Sequence, residues 1–289
     1  DVYKRQVHET CLGLRGWIRR AAHVIREYAT TLRIREFRKH LVIFLLVQTS
    51  SDVFGQTFLF FVLYDWNKTA AFASLLLGCT VVSLPLMPLF GKAVVKFGVR
   101  RLYAFAFAGM LLGVAWLALA WVLTGALPSA VWMVLAVAAS LWFFVFKALV
   151  GYLPWTVLVF MPDIDQIVTR RYRSATFSSV QSSLRQLGSG IVTIGVGLVL
   201  TMVGFDSSLP RQSREASIGI AAVMLGFYTV AMIVCWIVSS CLAINQRTDF
   251  DVLHEVDRLR AGGDKTEVNA SVRRTVERLT GLSYEECWK

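Results

Sequence analysis

The 289-residue chain is 56% hydrophobic and only 17% charged, with a mean hydropathy of +0.57 and a net charge of +11. Soluble domains carry about 25% charged residues, so this composition excludes an ordinary globular domain and points to an all-α membrane protein. Lys and Arg gather in alternate loops instead of forming one basic face, which excludes a nucleic-acid-binding reading of the charge. The cysteines, Cys11, Cys79, Cys235, Cys241 and Cys287, lack metal-ligand spacing and predict neither a disulfide nor a zinc site.

In chain order, residues 1–6 read as a cloning or sequencing scar before a truncated start, with more of the natural chain expected upstream. Residues 7–40 are basic, and Leu14, Trp17, Ile18, Ala21, Val24 and Ile25 recur at helical spacing. They predict either an amphipathic helix on the cytoplasmic membrane surface or a solvated linker helix. Six apolar stretches follow, at 41–64, 70–90, 102–124, 131–160, 175–203 and 218–244. Each has the roughly 20 residues that a helix needs to cross a bilayer.

Lys92, Lys96, Arg100 and Arg101 follow the second stretch, and Arg170, Arg171 and Arg173 follow the fourth. The first stretch is followed only by Lys68, and the fifth by Arg211 and Arg214. This bias predicts a multi-pass protein of the cytoplasmic membrane with both termini of this chain inside the cell. The segment 161–173 reads as a short cytoplasmic loop carrying Asp163, Asp165, Arg170, Arg171 and Arg173, a candidate gating element. Residues 245–289 read as a solvated cytoplasmic tail with weak helical periodicity, interrupted at Gly262-Gly263.

Polar residues inside the apolar stretches have a period of three. The third and sixth stretches are plain, while the others carry polar groups or prolines. That pattern predicts a 3+3 inverted repeat, with the plain helices toward lipid and the others lining a cavity. In the first stretch Gln48, Asp52 and Gln56 recur at i, i+4 and i+8, on one helix face. Asp52 falls roughly 17 Å along its helix, near mid-bilayer. A carboxylate there costs at least ~2.5 kcal/mol unless it is paired or wet, so it is either functional or a packing lock.

In the fifth stretch Gln181, Arg185 and Gln186 form a comparable group, and Arg185 is either a ligand for a carboxylate or hydroxyls or a snorkelling cation. Equal depth predicts an Asp52–Arg185 pair. The four glycines Gly188, Gly190, Gly195 and Gly197 predict close helix packing. The fourth stretch carries Lys147, Tyr152, Pro154 and Trp155. The aromatics could stack on a sugar ring or simply pack near the interface, and Lys147 could face a wet crevice or snorkel. No nucleophile elbow, phosphate loop or metal motif is present, so neither an enzyme nor a cofactor is expected.

Several motifs carry a family resemblance. Asp163-Ile-Asp-Gln-Ile-Val-Thr-Arg-Arg-Tyr-Arg173 with Ser179-Val-Gln-Ser-Ser-Leu-Arg-Gln-Leu-Gly-Ser189 resembles the loop before the eleventh helix, and that helix, of the glycoside–pentoside–hexuronide:cation symporters. These are melibiose-carrier-like members of the major facilitator superfamily. The stretch Tyr28–His40 resembles the family's central loop, Leu153-Pro154-Trp155 its tenth helix, and Leu279–Trp288 its C-terminal tail. Gln186 stands where the family usually has Lys, which leaves Arg185 as the cation there.

The resemblance implies the C-terminal six-helix half of a carrier that moves a sugar or glycoside together with H+ or Na+. The coupling cation would be bound mainly by the other half, and the partners would be lipid, that half and the solute. Two alternatives stay open. One is a same-fold carrier of an organic anion or lipid-like molecule; the other is a non-transporting membrane scaffold, for which Asp52 and Arg185 would face packed protein.

Overall fold

The computed structural model describes residue 22, residues 25–209 and residues 211–288. The segment 1–6 read as a scar and half of the basic 7–40 segment lie outside the described residues. Residues 25–31 are helical, and a turn at 32–34 leads into the first spanning helix.

Nine helices follow among the described residues. Helix α1 runs Arg35–Phe60 and ends in a π-helical turn, Phe61–Asp65. Helix α2 spans Ala70–Phe97, with its middle, Cys79–Leu86, tightened to 3-10 geometry around Pro85. Proline removes a backbone donor there, and a short 3-10 segment absorbs the loss. Helix α3 is Val99–Val122 and α4 is Ser129–Leu158; Pro154 sits inside α4 without ending it. The short α5, Met161–Thr169, precedes α6, Ser174–Met202. Helix α7 covers Arg214–Ser240, with a π-helical turn at Ala222–Gly226. Helices α8, Gln246–Arg260, and α9, Ala270–Thr280, form the tail. Among the described residues, six helical runs are long and apolar enough to cross a membrane: α1, α2, α3, α4 with its α5 extension, α6 and α7.

Their packing has the expected inverted symmetry. Exchanging α1 with α4, α2 with α6 and α3 with α7 maps contacts onto contacts. Helix α3 runs antiparallel to α4, with Trp132 donating to the Ala120 carbonyl at 2.8 Å and Trp142 to that of Gly109 at 2.8 Å. Its image, α7 against α1, is antiparallel too: Cys235 Sγ meets the Ile43 carbonyl at 3.8 Å, and the rings of Phe54 and Tyr228 lie 6.2 Å apart. Helix α1 runs parallel to α6, and its image α4 parallel to α2, where the Phe72–Trp132 and Phe90–Tyr152 rings meet at opposite ends. This is the 3+3 inverted repeat that the polar spacing predicts.

Apolar composition assigned the helix faces only partly. Helices α3 and α7 each bury one side and turn another outward, with Phe105, Leu112 and Leu119 on α3 and Val230 and Ile237 on α7. Helices α2 and α6 are the most exposed. Helix α6 exposes Ser178, Ser179, Ser182, Ser183, Arg185 and Gln186 toward its start, then Leu187, Ile191, Ile194 and Leu198. Its glycines do not all serve packing. Gly188 lies against Thr49, whereas Gly190, Gly195 and Gly197 have open space where a side chain would stand. The tight approach is in α3, where a Cβ on Gly109 would stand 2.0 Å from the Phe146 ring.

Two segments differ from their reading as loop and solvated tail. Residues 161–169 are helical, with Ile164, Asp165 and Ile167 buried, because the tail covers them. In the tail, Val252, Val256, Val276 and Leu279 are buried. Helix α8 begins with a full capping box, Asn245 with Thr248. Buried Glu255 accepts two bonds from Arg258, at 2.7 and 2.9 Å, and one from the Tyr284 hydroxyl. The Trp288 amide donates to the Ile167 carbonyl at 2.8 Å, docking the chain's end on α5. Weak local periodicity concealed this because the apolar positions are few and find their partners on α5 and the start of α1.

Candidate functional site

Asp52 sits near the middle of α1 and Lys147 near the middle of α4. Asp52 Oδ2 is buried and accepts no hydrogen bond. Lys147 Nζ lies 4.9 Å from the Phe54 ring centre and 5.8 Å from that of Phe144, so two aromatic faces hold the ammonium. Asp52 is the carboxylate whose field acts on Lys147, yet the two do not close to ion-pair distance. A mid-helix acid with a bare oxygen beside an aromatic-held cation is a polar centre with free valence. It can accept a hydroxyl, a cation or a proton on the carboxylate and present positive charge alongside.

The Asp52–Arg185 pair does not form. Helices α1 and α6 run parallel in a fixed register: His40 Nε2 meets Gln181 Oε1 at 2.7 Å, Thr49 contacts Gly188, and Gln56 donates to Thr193 Oγ1 at 3.0 Å. Arg185 lies three residues before Gly188 and Asp52 three after Thr49, so they stand roughly 9 Å apart in depth by helical rise. The depth estimate failed because α1 starts at Arg35, six residues before the apolar run at 41.

The other expected residues separate into groups. Gln48 is half-buried on the Asp52 face. Gln181 is fully buried and used by His40, with its Nε2 left unpartnered; His40 Nδ1 is likewise bare. Arg185 and Gln186 are exposed. Tyr152 packs on Phe90, and its hydroxyl fills the space beside Gly91, so it is a packing residue here. Trp155 is 44% exposed and meets Phe44 edge to face at 5.4 Å.

Two of the candidate gating residues, Asp165 and Arg173, pair with each other. Asp165, 1% exposed, takes a bidentate pair from Arg173 at 2.7 and 2.8 Å and a bond from Thr169. Arg173 also donates to Thr30 at 2.9 Å, tying this segment to the helical turn before α1. Arg170, at φ 60°, caps α5, donates to the Trp288 carbonyl at 2.6 Å and stacks over that ring. Asp163 faces the tail near Asp249, and Arg171 lines a cavity of about 300 Å3 with Thr30, Asp165 and Arg173, remote from Asp52.

Sequence reading missed His40, Phe54, Phe144 and Thr193. The first was legible in principle, since His40, Phe44, Gln48, Asp52 and Gln56 form one unbroken i+4 line. It also missed Asp65, buried at the far end of α1, where Trp121 Nε1 at 3.0 Å and Ser217 donate to one oxygen. No local pattern marks these donors, which come from α3 and α7.

Six apolar helices in an inverted repeat around a charged centre define a multi-pass membrane protein with an interior polar site. Residues 16–246 match the MFS/sugar transport protein family, and the chain belongs to it. It is thus a membrane transporter of the major facilitator type. No curated protein matches the chain.

Proposed function

We propose that this chain is the C-terminal six-helix half of a cation-coupled symporter for a sugar or glycoside, working in the cytoplasmic membrane with its tail inside the cell. The observation that carries the reading is the unpartnered Asp52 carboxylate beside the ring-held Lys147, within a fold whose family transports sugars. Sugar hydroxyls both donate and accept, so one molecule could satisfy the bare carboxylate oxygen and the ammonium together. The exposed polar start of α6 supports a second six-helix half opposite, because those groups would otherwise meet lipid. The two halves would rock around a midplane site. H+ or Na+ would drive uptake, bound mainly by the other half. The tail-side helix ends and turns carry Lys92, Lys96, Arg100, Arg101, Arg170, Arg171 and Arg173, which supports the inward orientation.

A carrier of organic anions is the second reading, favoured by Lys147 and the exposed Arg185. Proteoliposome uptake separates the two: labelled glycosides and hexuronates, each under an imposed H+ or Na+ gradient. Gradient-driven glycoside uptake is expected. Uptake of anions alone, or uptake indifferent to both gradients, would overturn the symporter reading.

A further inference from the structure

The α2–α3 corner on the tail side carries a second polar feature, unrelated to Asp52. Helix α2 ends at Phe97 and α3 begins at Val99, with Gly98 alone between them at φ 78°. A cavity of about 310 Å3 opens here, lined by Gly98, Arg100, Arg101, Asn245, Thr248 and Arg278. Its three arginines come from two elements, α3 and the tail helix α9. Among the described residues, none of the three has an ion-pair partner or donates a hydrogen bond. Asn245 and Thr248 are committed to their own capping box, so the free recognition groups are the guanidinium forks. Three unpaired guanidinium groups around one cavity make a basin suited to an anion.

The anion has a direction of approach. A second, apolar space of about 340 Å3 adjoins the first and shares Phe97 and Arg101 with it; Ala93, Leu102 and Phe105 complete its walls. Phe97 is 52% exposed and Phe105 59% exposed, both on helices that span the membrane. Moving from Arg278 to Phe105 therefore passes from a cationic basin to a hydrocarbon-lined groove, with Arg101 at the junction. A soluble phosphate fills only the basin. A molecule with a phosphate head and an acyl tail fills both.

We propose that this corner is a binding site for one anionic phospholipid, its phosphate among Arg100, Arg101 and Arg278 and an acyl chain along Phe97 and Phe105. Because Arg278 belongs to the tail, the bound headgroup would tie α9 to the membrane-embedded helices and hold the tail in its docked position.

Native mass spectrometry of the purified chain in mild detergent tests this, with phosphatidylglycerol, phosphatidylcholine and glycerol 3-phosphate as separate probes. One phosphatidylglycerol should be retained at least tenfold more tightly than phosphatidylcholine, and glycerol 3-phosphate should not compete at comparable concentration. Arg100→Gln, Arg101→Gln and Arg278→Gln should each weaken retention about fivefold, the ratio corresponding to ~1 kcal/mol per basic residue near a charged surface. Arg211→Gln, on the opposite face, should change nothing. The three arginines are exposed, so the variants should fold, and an unchanged melting temperature without lipid checks this. Equal retention of the two lipids, or retention indifferent to all three substitutions, would overturn the site. Glycerol 3-phosphate binding as tightly as phosphatidylglycerol would reduce it to a soluble-anion site and overturn the lipid assignment.

Discussion

The tail face and the membrane middle treat charge in opposite ways. At the tail face three buried acids are closed, while Asp249 keeps one buried oxygen bare. Asp165 is clasped by Arg173, Glu255 by Arg258 and Tyr284, and Glu36, fully buried, by Lys39 at 2.5 Å and the Ala243 amide at 3.0 Å. Lys39 in turn donates to the Cys241 carbonyl at 2.7 Å, so the start of α1 is fastened to the end of α7. In the middle, Asp52 keeps an oxygen bare and Lys147 rests on aromatic rings. Closed charges hold parts together. An open one is retained at a cost of a few kcal/mol only where something outside the helix completes it.

The sharpest way to break this comparison is to open a closed pair. Asp165→Ala leaves the half-buried Arg173 without its carboxylate, at a cost of about 1.5–3 kcal/mol. The melting temperature in detergent should fall by several degrees; an unchanged value would make the pair ornamental. In the middle the prediction reverses. Asp52→Asn or Lys147→Gln should cut solute uptake by the carrier at least tenfold, while each melting temperature stays close to the parent's. Normal uptake with lowered stability would move Asp52 into the closed class.

His40–Gln181 is intermediate, a single buried bond with bare atoms on both partners. Gln181→Leu orphans the imidazole and should cost about 1–3 kcal/mol, measured by denaturant unfolding; no change would mean that the pair is already compensated.

The smallest effect concerns Asp249. Burial, with the nearby Asp163 charge, pushes its carboxyl up to about 6 from the ordinary 3.8. The folded form therefore holds its proton more tightly than the unfolded one. Stability from this group is full below about pH 4 and is lost as pH rises through about 6. Asp249→Asn should slow hydrogen exchange in α8 at pH 7.5 and leave it unchanged near pH 4. An equal effect at both values would exclude the carboxyl as the cause.

Much of this architecture was legible locally. Apolar runs of roughly 20 residues can only be helices in a bilayer, because every backbone group must be satisfied within the segment. The six spans, the period of three and the polar stripe through Asp52 therefore follow from spacing alone. Helix α1 proved longer than its apolar run because Glu36 and Lys39 are satisfied by residues 241 and 243, some two hundred positions away. The helicity of 161–169 and the docked tail were hidden for the same reason, their apolar faces being short and completed by each other.

By itself the sequence determined which segments cross the membrane, how the repeat divides them and that an acid lies near the middle, since these depend on composition and helical period. Only the tertiary structure decided that Asp52 looks to Lys147 and not to Arg185, that Gln181 belongs to His40, and that Asp165 pairs with Arg173. Partner choice depends on the register between helices, and register is set by side chains that meet across the bundle, such as His40 against Gln181. A single helix's period carries no information about that meeting.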